Sequence, residues 1–276
     1  MTIDELVLNT TTRKFLDAYV QQPNQSVLVC GPKGCGLFTL AHALAQGITT
    51  EPAAIMTVQP DEKGTISIER VRSLYVETRS IRTEHFVIII DDIEKMSHDA
   101  QNSFLKLLEE PVDNVYFIVT AHEPQQLLAT ILSRVQSIEV TNISATASES
   151  LLRKHHVTQA TALQQMLFIA PGLPAELSRL ADDKDYFEHK AQFVRLARDF
   201  LTAPIHERLE RISQISGRED ALLFVTTIAA VLQFKSDRDS KAAGKVPADV
   251  LETVATRLAN NGHVRTQLMF LAVNVV

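Results

Sequence analysis

An open parallel α/β sheet followed by an all-helical C-terminal half is the fold class this sequence predicts. Two observations predict it. Short runs rich in Val and Ile alternate with segments of helical period through the first half of the chain, and after about Asn142 the strand signal disappears. The runs lie at 26–30, 53–58, 86–90, 115–119 and 137–140, each bounded by turn residues, and they read as strands. Helical period appears between them, at 37–46 ahead of Gly47 and at 68–79, where Ile68, Val71, Leu74 and Tyr75 share one face. Strands separated by helices pair in parallel, with helices covering both faces of the sheet.

The second half reads as two helical groups. Segments 148–155, 158–170 and 173–180 cluster around Pro171-Gly172. A further group begins near Tyr186, where Phe193, Leu196, Ala197, Phe200 and Leu201 follow an amphipathic stripe. Segment 221–234 is apolar almost all round and predicts a buried central helix, while the polar stretch 235–249, with Gly244 and Pro247, predicts a linker.

Bulk properties narrow the function class. A chain of 276 residues with 45% hydrophobic residues can form two or three domains with their own cores. A formal charge of −6 opposes a chain that grips nucleic acid alone, since that mode needs a positive face against the phosphates. Apolar runs such as 86–90 are far short of the roughly 20 residues of a membrane helix, and residues 1–9 mix Asp4 and Glu5 with Leu6, Val7 and Leu8, unlike a secretory leader. A cytoplasmic location with no membrane partner is expected. Cys30 and Cys35 are the two cysteines; two sulfurs do not close a tetrahedral zinc site, so they read as plain buried thiols and no metal site is expected.

The first strand runs into Gly31-Pro32-Lys33-Gly34-Cys35-Gly36-Leu37-Phe38 and then into a helix, the order of a phosphate-binding P-loop. In a working loop, G-x-x-x-x-G-K-[ST], backbone N–H groups surround the phosphates, Lys neutralises charge and the hydroxyl holds Mg²⁺. Gly31 and Gly36 fill the glycine positions, but Leu37 stands at the Lys position and Phe38 at the Ser/Thr position. Lys33 lies inside the loop and Thr39 comes one residue late. Such a loop leaves room for weak ATP or ADP binding without hydrolysis. Taken alone, a glycine-rich turn is more often only a tight strand-to-helix connection.

Downstream residues change that balance. The run 86–90 ends in Asp91-Asp92, the pattern of a Walker B strand that sets a carboxylate beside Mg²⁺ at the carboxyl edge of a sheet. Asp92 stands where a longer Glu commonly serves. Ser97 predicts a helix N-cap, Asp99 suits the first turn, and Pro111 closes the segment.

The run from Asp91 through Ile93-Glu94-Lys95-Met96 and Ala100 to Glu109-Glu110-Pro111 resembles the segment after Walker B in bacterial DNA polymerase III clamp-loader subunits, which are AAA+ proteins. Phe117 to Thr120, Glu123-Pro124 and then Leu128 to Ser133-Arg134-Val135 continue the likeness through the sensor 1 strand and the Ser-Arg-Cys motif, here ending in Val135. The resemblance covers roughly residues 20 to 180. It implies a RecA-like five-stranded AAA+ domain over 1–142, a helical lid over 143–185 and an all-α collar domain over 186–276. Within that family the chain is more similar to the delta-prime type, whose phosphate loop is usually degenerate, than to the hydrolysing gamma/tau type. Only 47–52 separates the loop helix from the next strand, so the four-Cys zinc module of many relatives is absent and no zinc is expected.

The resemblance also implies a role for Arg134, with Ser133 before it: the motif's arginine reaches ATP held by a neighbouring subunit. A guanidinium suits this, being always charged and bidentate toward phosphate. The plainer reading is a surface Arg paired with a residue such as Glu139. Further implications are an Ala175 where active relatives carry a sensor 2 arginine, and His122 at the sensor 1 turn, which reads equally as a solvated or a functional residue. The expected partners are gamma/tau-like and delta-like subunits, and through them the sliding clamp and primed DNA of the DNA polymerase III holoenzyme; no intrinsic ATPase is expected. The alternatives are an active gamma/tau-like AAA+ ATPase and an AAA+ scaffold unconnected with replication.

Overall fold

The structure, a computed structural model, describes residues 2–79, 85–238 and 247–275. The chain forms two compact units, Met1–Asp182 and Asp183–Val276. In the first, strands β1 (Ser26–Cys30), β2 (Ile55–Val58), β3 (Phe86–Ile90), β4 (Val115–Ala121) and β5 (Gln136–Glu139) build one parallel sheet in the order β2-β3-β4-β1-β5. The predicted runs at 26–30 and 86–90 match β1 and β3 residue for residue; the others are offset by one or two residues at their ends.

Alternation along the strands assigns the two faces. Val27 and Val29 of β1, Val87 and Ile89 of β3 and Ile118 of β4 pack with α1 (Thr10–Gln21) and α2 (Leu37–Ile48), through Leu16, Tyr19, Leu40 and Leu44. Leu28, Ile88, Ile90, Phe117 and Val119 face the other way, onto α3 (Ile68–Thr78), α4 (His98–Glu109) and the single turn α5 (Ala129–Leu132), through Val71, Leu74, Phe104 and Ile131. Three of these helices start at side-chain caps: Asn9, Ser67 and Ser97 accept from the backbone N–H groups of Thr11, Arg70 and Ala100. Gly47 does not stop its helix. α2 continues to Ile48, and a β-carbon on Gly47 would stand 3.2 Å from both γ-carbons of Val20, so the glycine serves close packing of α1 on α2.

Helices α6 (Ala145–Lys154), α7 (Ala160–Ile169) and α8 (Pro174–Asp182) belong to the same unit as the sheet. Two hydrogen bonds tie their turn to the exit of β5: Ile143 N–H to the Gly172 carbonyl at 3.0 Å and Asn142 Nδ2 to the Pro171 carbonyl at 2.9 Å. Gly172 has φ +74°, and a β-carbon there would lie 2.7 Å from the Ile143 carbonyl.

The second unit consists of α9 (Lys184–Thr202), α10 (Ile205–Ile212), α11 (Arg218–Arg238), α12 (Ala248–Ala259) and α13 (Val264–Asn274). Helix α9 begins two residues before the expected start, because Asp183 caps it through the Tyr186 N–H. Phe200 meets Phe224 edge-to-face at 5.2 Å. The Arg208 guanidinium donates to the carbonyls of Phe200 and Val275, fastening the C-terminal helix to α9. Helix α11 is not buried all round: Ala221, Phe224, Val225, Ile228 and Val231 form one buried stripe, while Thr226, Ala229, Ala230 and Phe234 are exposed. It also runs on to Arg238, into the stretch expected to be a linker, of which 239–246 lies outside the described residues. Among the described residues no helix is long and apolar enough to cross a membrane.

Phe104 is fully buried and meets Phe117 edge-to-face at 5.4 Å, joining α4 to the sheet. Phe104→Ala is expected to destabilise the first unit by about 3–5 kcal/mol in urea unfolding followed by circular dichroism.

Candidate functional site

Strands β1, β3 and β4 lie side by side and all point the same way, so their carboxyl ends and the turns that follow meet at one edge of the sheet. The glycine loop leaves β1 there. Gly31 donates its N–H to the Ala121 carbonyl of β4 at 3.3 Å, and a β-carbon on it would stand 2.8 Å from the Val140 carbonyl. Gly34 and Gly36 hold φ of +89° and +88°, the left-handed region that glycine enters without strain. Leu37 turns into the core, while Phe38 is exposed and stacks at a tilt on His42, ring centres 4.4 Å apart. Lys33 is exposed. Cys30 and Cys35 are free thiols; burial pushes Cys35 up to about 11 and raises Cys30 as well, so both stay protonated and unreactive at neutral pH.

The first turn of α8 lies directly on this loop. Glu176 donates its N–H to the Gly34 carbonyl at 3.0 Å. A β-carbon on Gly34 would stand 2.9 Å from that of Glu176, and one on Gly36 would stand 3.2 Å from that of Ala175.

At the end of β3, Asp91 accepts from the Thr120 hydroxyl at 2.7 Å and from Gln59 Nε2 at 3.2 Å. The Thr120 hydroxyl oxygen in turn accepts from the Asp92 N–H at 3.0 Å, so one side chain of β4 binds both aspartates. Asp92 sits at φ 51°, a conformation that Asp and Asn tolerate better than other side chains. Burial, then the charges of Asp91 and Glu94, hold its carboxyl above the usual range, against the weaker pull of His122 and Lys95.

His122 closes the arrangement. Its Nδ1 lies 2.8 Å from the Gly31 carbonyl; a carbonyl only accepts, so Nδ1 carries the proton. Its Nε2 lies 3.7 Å from Asp92, and the backbone N–H of His122 donates to Glu94 Oε1 at 2.8 Å. The imidazole therefore bridges the glycine loop and the acidic turn, and it is a structural member of the site, not a solvated loop residue. The sequence marked its position but carried no signal for its partners. Glu94, which receives the backbone N–H groups of both His122 and Glu123, and Thr120 lie within the runs that carry the resemblance, but the sequence marked no role of its own for either.

Arg134 and Ser133 form a separate feature beyond α5. Arg134 donates through Nη1 to the Thr130 carbonyl at 3.0 Å and to Ser133 Oγ at 3.3 Å, and through Nη2 to Glu109 Oε1 at 2.9 Å. The acidic partner is Glu109 at the end of α4, not Glu139. None of these partners belongs to the glycine loop or to the Asp91-Asp92 turn.

A family model described as DNA polymerase III, delta subunit, matches residues 52–144. The DNA polymerase III subunit delta' of Pseudomonas aeruginosa is 29% identical over 210 residues, 67% of this chain and 63% of that protein. Subunit tau of Escherichia coli is 26% identical over 185 residues, 58% of this chain and 29% of that protein. The chain is similar to DNA polymerase III clamp-loader subunits. The matched regions span less than two thirds of these two relatives' lengths. Among solved structures, a DNA polymerase III gamma subunit-related protein of Thermotoga maritima aligns with a TM-score of 0.55 at 18% identity, covering 95% of this chain and 98% of that one. The RuvB Holliday junction branch migration motor of the same organism aligns at 0.55 and 16% identity, covering 96% and 86%. The AAA+ fold is thereby shown. The segment matched by the clamp-loader family model contains Asp91, Asp92, His122, Ser133 and Arg134 and begins after the glycine loop.

Two expected outcomes follow from this geometry. Gly34→Ala and Gly64→Ala both place a side chain at positive φ, a strain of about 1–2 kcal/mol, but only Gly34 faces a neighbour, since nothing lies within 4 Å of a β-carbon at Gly64. Gly34→Ala is therefore expected to melt at the lower temperature in calorimetry, and equal melting would show that α8 does not press on the loop. The raised Asp92 carboxyl binds its proton more readily folded than unfolded, so its contribution to stability is present below the ordinary carboxylate value and is lost as pH rises through the raised folded value. Asp92→Asn should escape that loss. It is expected to be more stable than the natural chain at pH 7 in urea unfolding, with the gap closing in acid.

Proposed function

We propose that this chain is a delta-prime-like clamp-loader subunit that hydrolyses no ATP itself and supplies Arg134 to ATP held by an adjacent subunit. The observation that carries the reading is the start of α2: Leu37 is buried in the core and Phe38 lies against His42, where a triphosphate with magnesium requires an ammonium and a hydroxyl. Ala175 and Glu176 lie against Gly36 and Gly34, and His122 occupies the Gly31 carbonyl, so protein groups already surround the loop. These residues fit a magnesium nucleotide poorly, and the reading leaves at most weak ATP or ADP binding, with no zinc or other metal required.

In this reading residues 1–142 are the RecA-like domain, 143–185 the lid and 186–276 a collar that joins other subunits. The partners are gamma/tau-like and delta-like subunits, and the assembled loader acts on the sliding clamp and primed DNA in the cytoplasm. Ser133 supports the arginine through its hydroxyl. A hydrolysing gamma/tau-like subunit is the competing reading, favoured by the similarity to tau chains.

Two measurements separate them. The purified chain alone is expected to release no phosphate from ATP above background, and turnover near one per second would establish the competing reading. In a complex reconstituted with a gamma/tau-like partner, Arg134→Ala is expected to lower turnover at the adjoining site by ~10³-fold, the usual scale for a lost arginine finger.

A further inference from the structure

Glu109 is placed against local preference. It is the last residue of α4, where the carbonyl end of the helix dipole repels a carboxylate, and Glu110 follows it immediately. Lys106 is the one basic residue of that last turn. What compensates Glu109 is a residue distant in sequence: Arg134 Nη2, at 2.9 Å. The other terminal nitrogen, Nη1, is held by the Thr130 carbonyl and Ser133 Oγ. Both terminal nitrogens of the guanidinium are thus engaged by the chain's own oxygens, and one of those oxygens is anionic.

We infer that Glu109 is a positioning residue for Arg134, an internal anion that holds the guanidinium folded against its own chain until phosphate oxygens of a neighbouring nucleotide displace it. The inference rests on the trans role proposed for Arg134. A carboxylate and a phosphate present the same geometry to a guanidinium and compete for the same N–H groups. The exchange replaces one anion by another, so the arginine never loses its counter-charge. Both side chains are substantially exposed, at 37% and 48%, and a pair so exposed shifts an equilibrium by about two- to five-fold, weak enough to be given up on assembly. The neutral contacts through Nη1 can persist through the exchange and keep the side chain anchored at its base.

The test uses the full chain reconstituted with a gamma/tau-like partner, comparing the natural protein with Glu109→Gln, Arg134→Ala and the double variant. Glu109→Gln removes the anion at an exposed site and relieves the helix end, so the variant is expected to fold. The expected result is a KM for ATP lowered two- to five-fold with a smaller change in kcat, the difference shrinking as salt is raised. The effect should vanish in the Arg134→Ala background. A fall in kcat with KM unchanged, no change in either constant, or an undiminished effect when Arg134 is absent would each overturn the latch. Should Arg134→Ala itself leave partner turnover unaltered, the trans reading fails first; a large loss with Arg134→Ala beside a silent Glu109→Gln removes the latch alone.

Discussion

Strand β3 is buried along its whole length, and five consecutive apolar residues in a strand have no solvent face to offer. Helices must then lie on both sides of the sheet, and strands linked through such helices run parallel. Parallel strands end together. The carboxyl ends of β1, β3 and β4 are therefore forced into one edge, and the turns they feed cannot avoid each other. Gly31, the two aspartates and His122 are neighbours because Phe86 to Ile90 has to be covered twice.

At that edge the chain meets its polar obligations internally. The hydroxyl of Thr120 is fully buried in β4 and would be costly alone; it donates to Asp91 and accepts from the Asp92 N–H. The Gly31 carbonyl receives the proton of His122 and the Gly34 carbonyl that of Glu176. Glu94 gathers two N–H groups of the turn through one oxygen, while its other oxygen is buried without a hydrogen bond. A phosphate-binding loop relies on N–H groups turned toward an anion. Here part of the surrounding space is filled by the side of α8, with Ala175 against Gly36.

Much of this was readable from local pattern. Apolar runs bounded by turn residues located the strands, and Ser97 with Asp99 located the start of α4, because those signals act over a few residues. Contacts that join distant segments left no such trace. Gly47 resembles a helix stop, and only the presence of Val20 beside it explains why the helix continues. Segment 221–234 reads as buried all round, since Ala and Thr are small enough to occupy either side of a helix, and packing alone decides that Ala229 and Ala230 face water. In the site, the glycines and aspartates announced themselves by spacing, whereas His122, Thr120 and Glu94 act through partners more than 25 residues away. Arg134 was located by its motif, but its counter-ion was not, because Glu139 and Glu109 are equally acidic on paper.

The two features that the proposed function ties to nucleotide chemistry are physically independent. Leu37 and Phe38 act on the loop after β1 through the core and through His42, whereas Arg134 is held by Glu109, Thr130 and Ser133. They share no side-chain partner, so substitutions that convert the loop from a charged cradle to hydrocarbon place no strain on the arginine turn. A chain of this fold can therefore lose the first without disturbing the second. In the proposed role that separation is what matters: the loop is relevant only to a nucleotide of the subunit's own, while the guanidinium has to be exchangeable, since its target arrives with another chain. An exposed pair with Glu109 meets that requirement, where a deeply buried one would trap the charge.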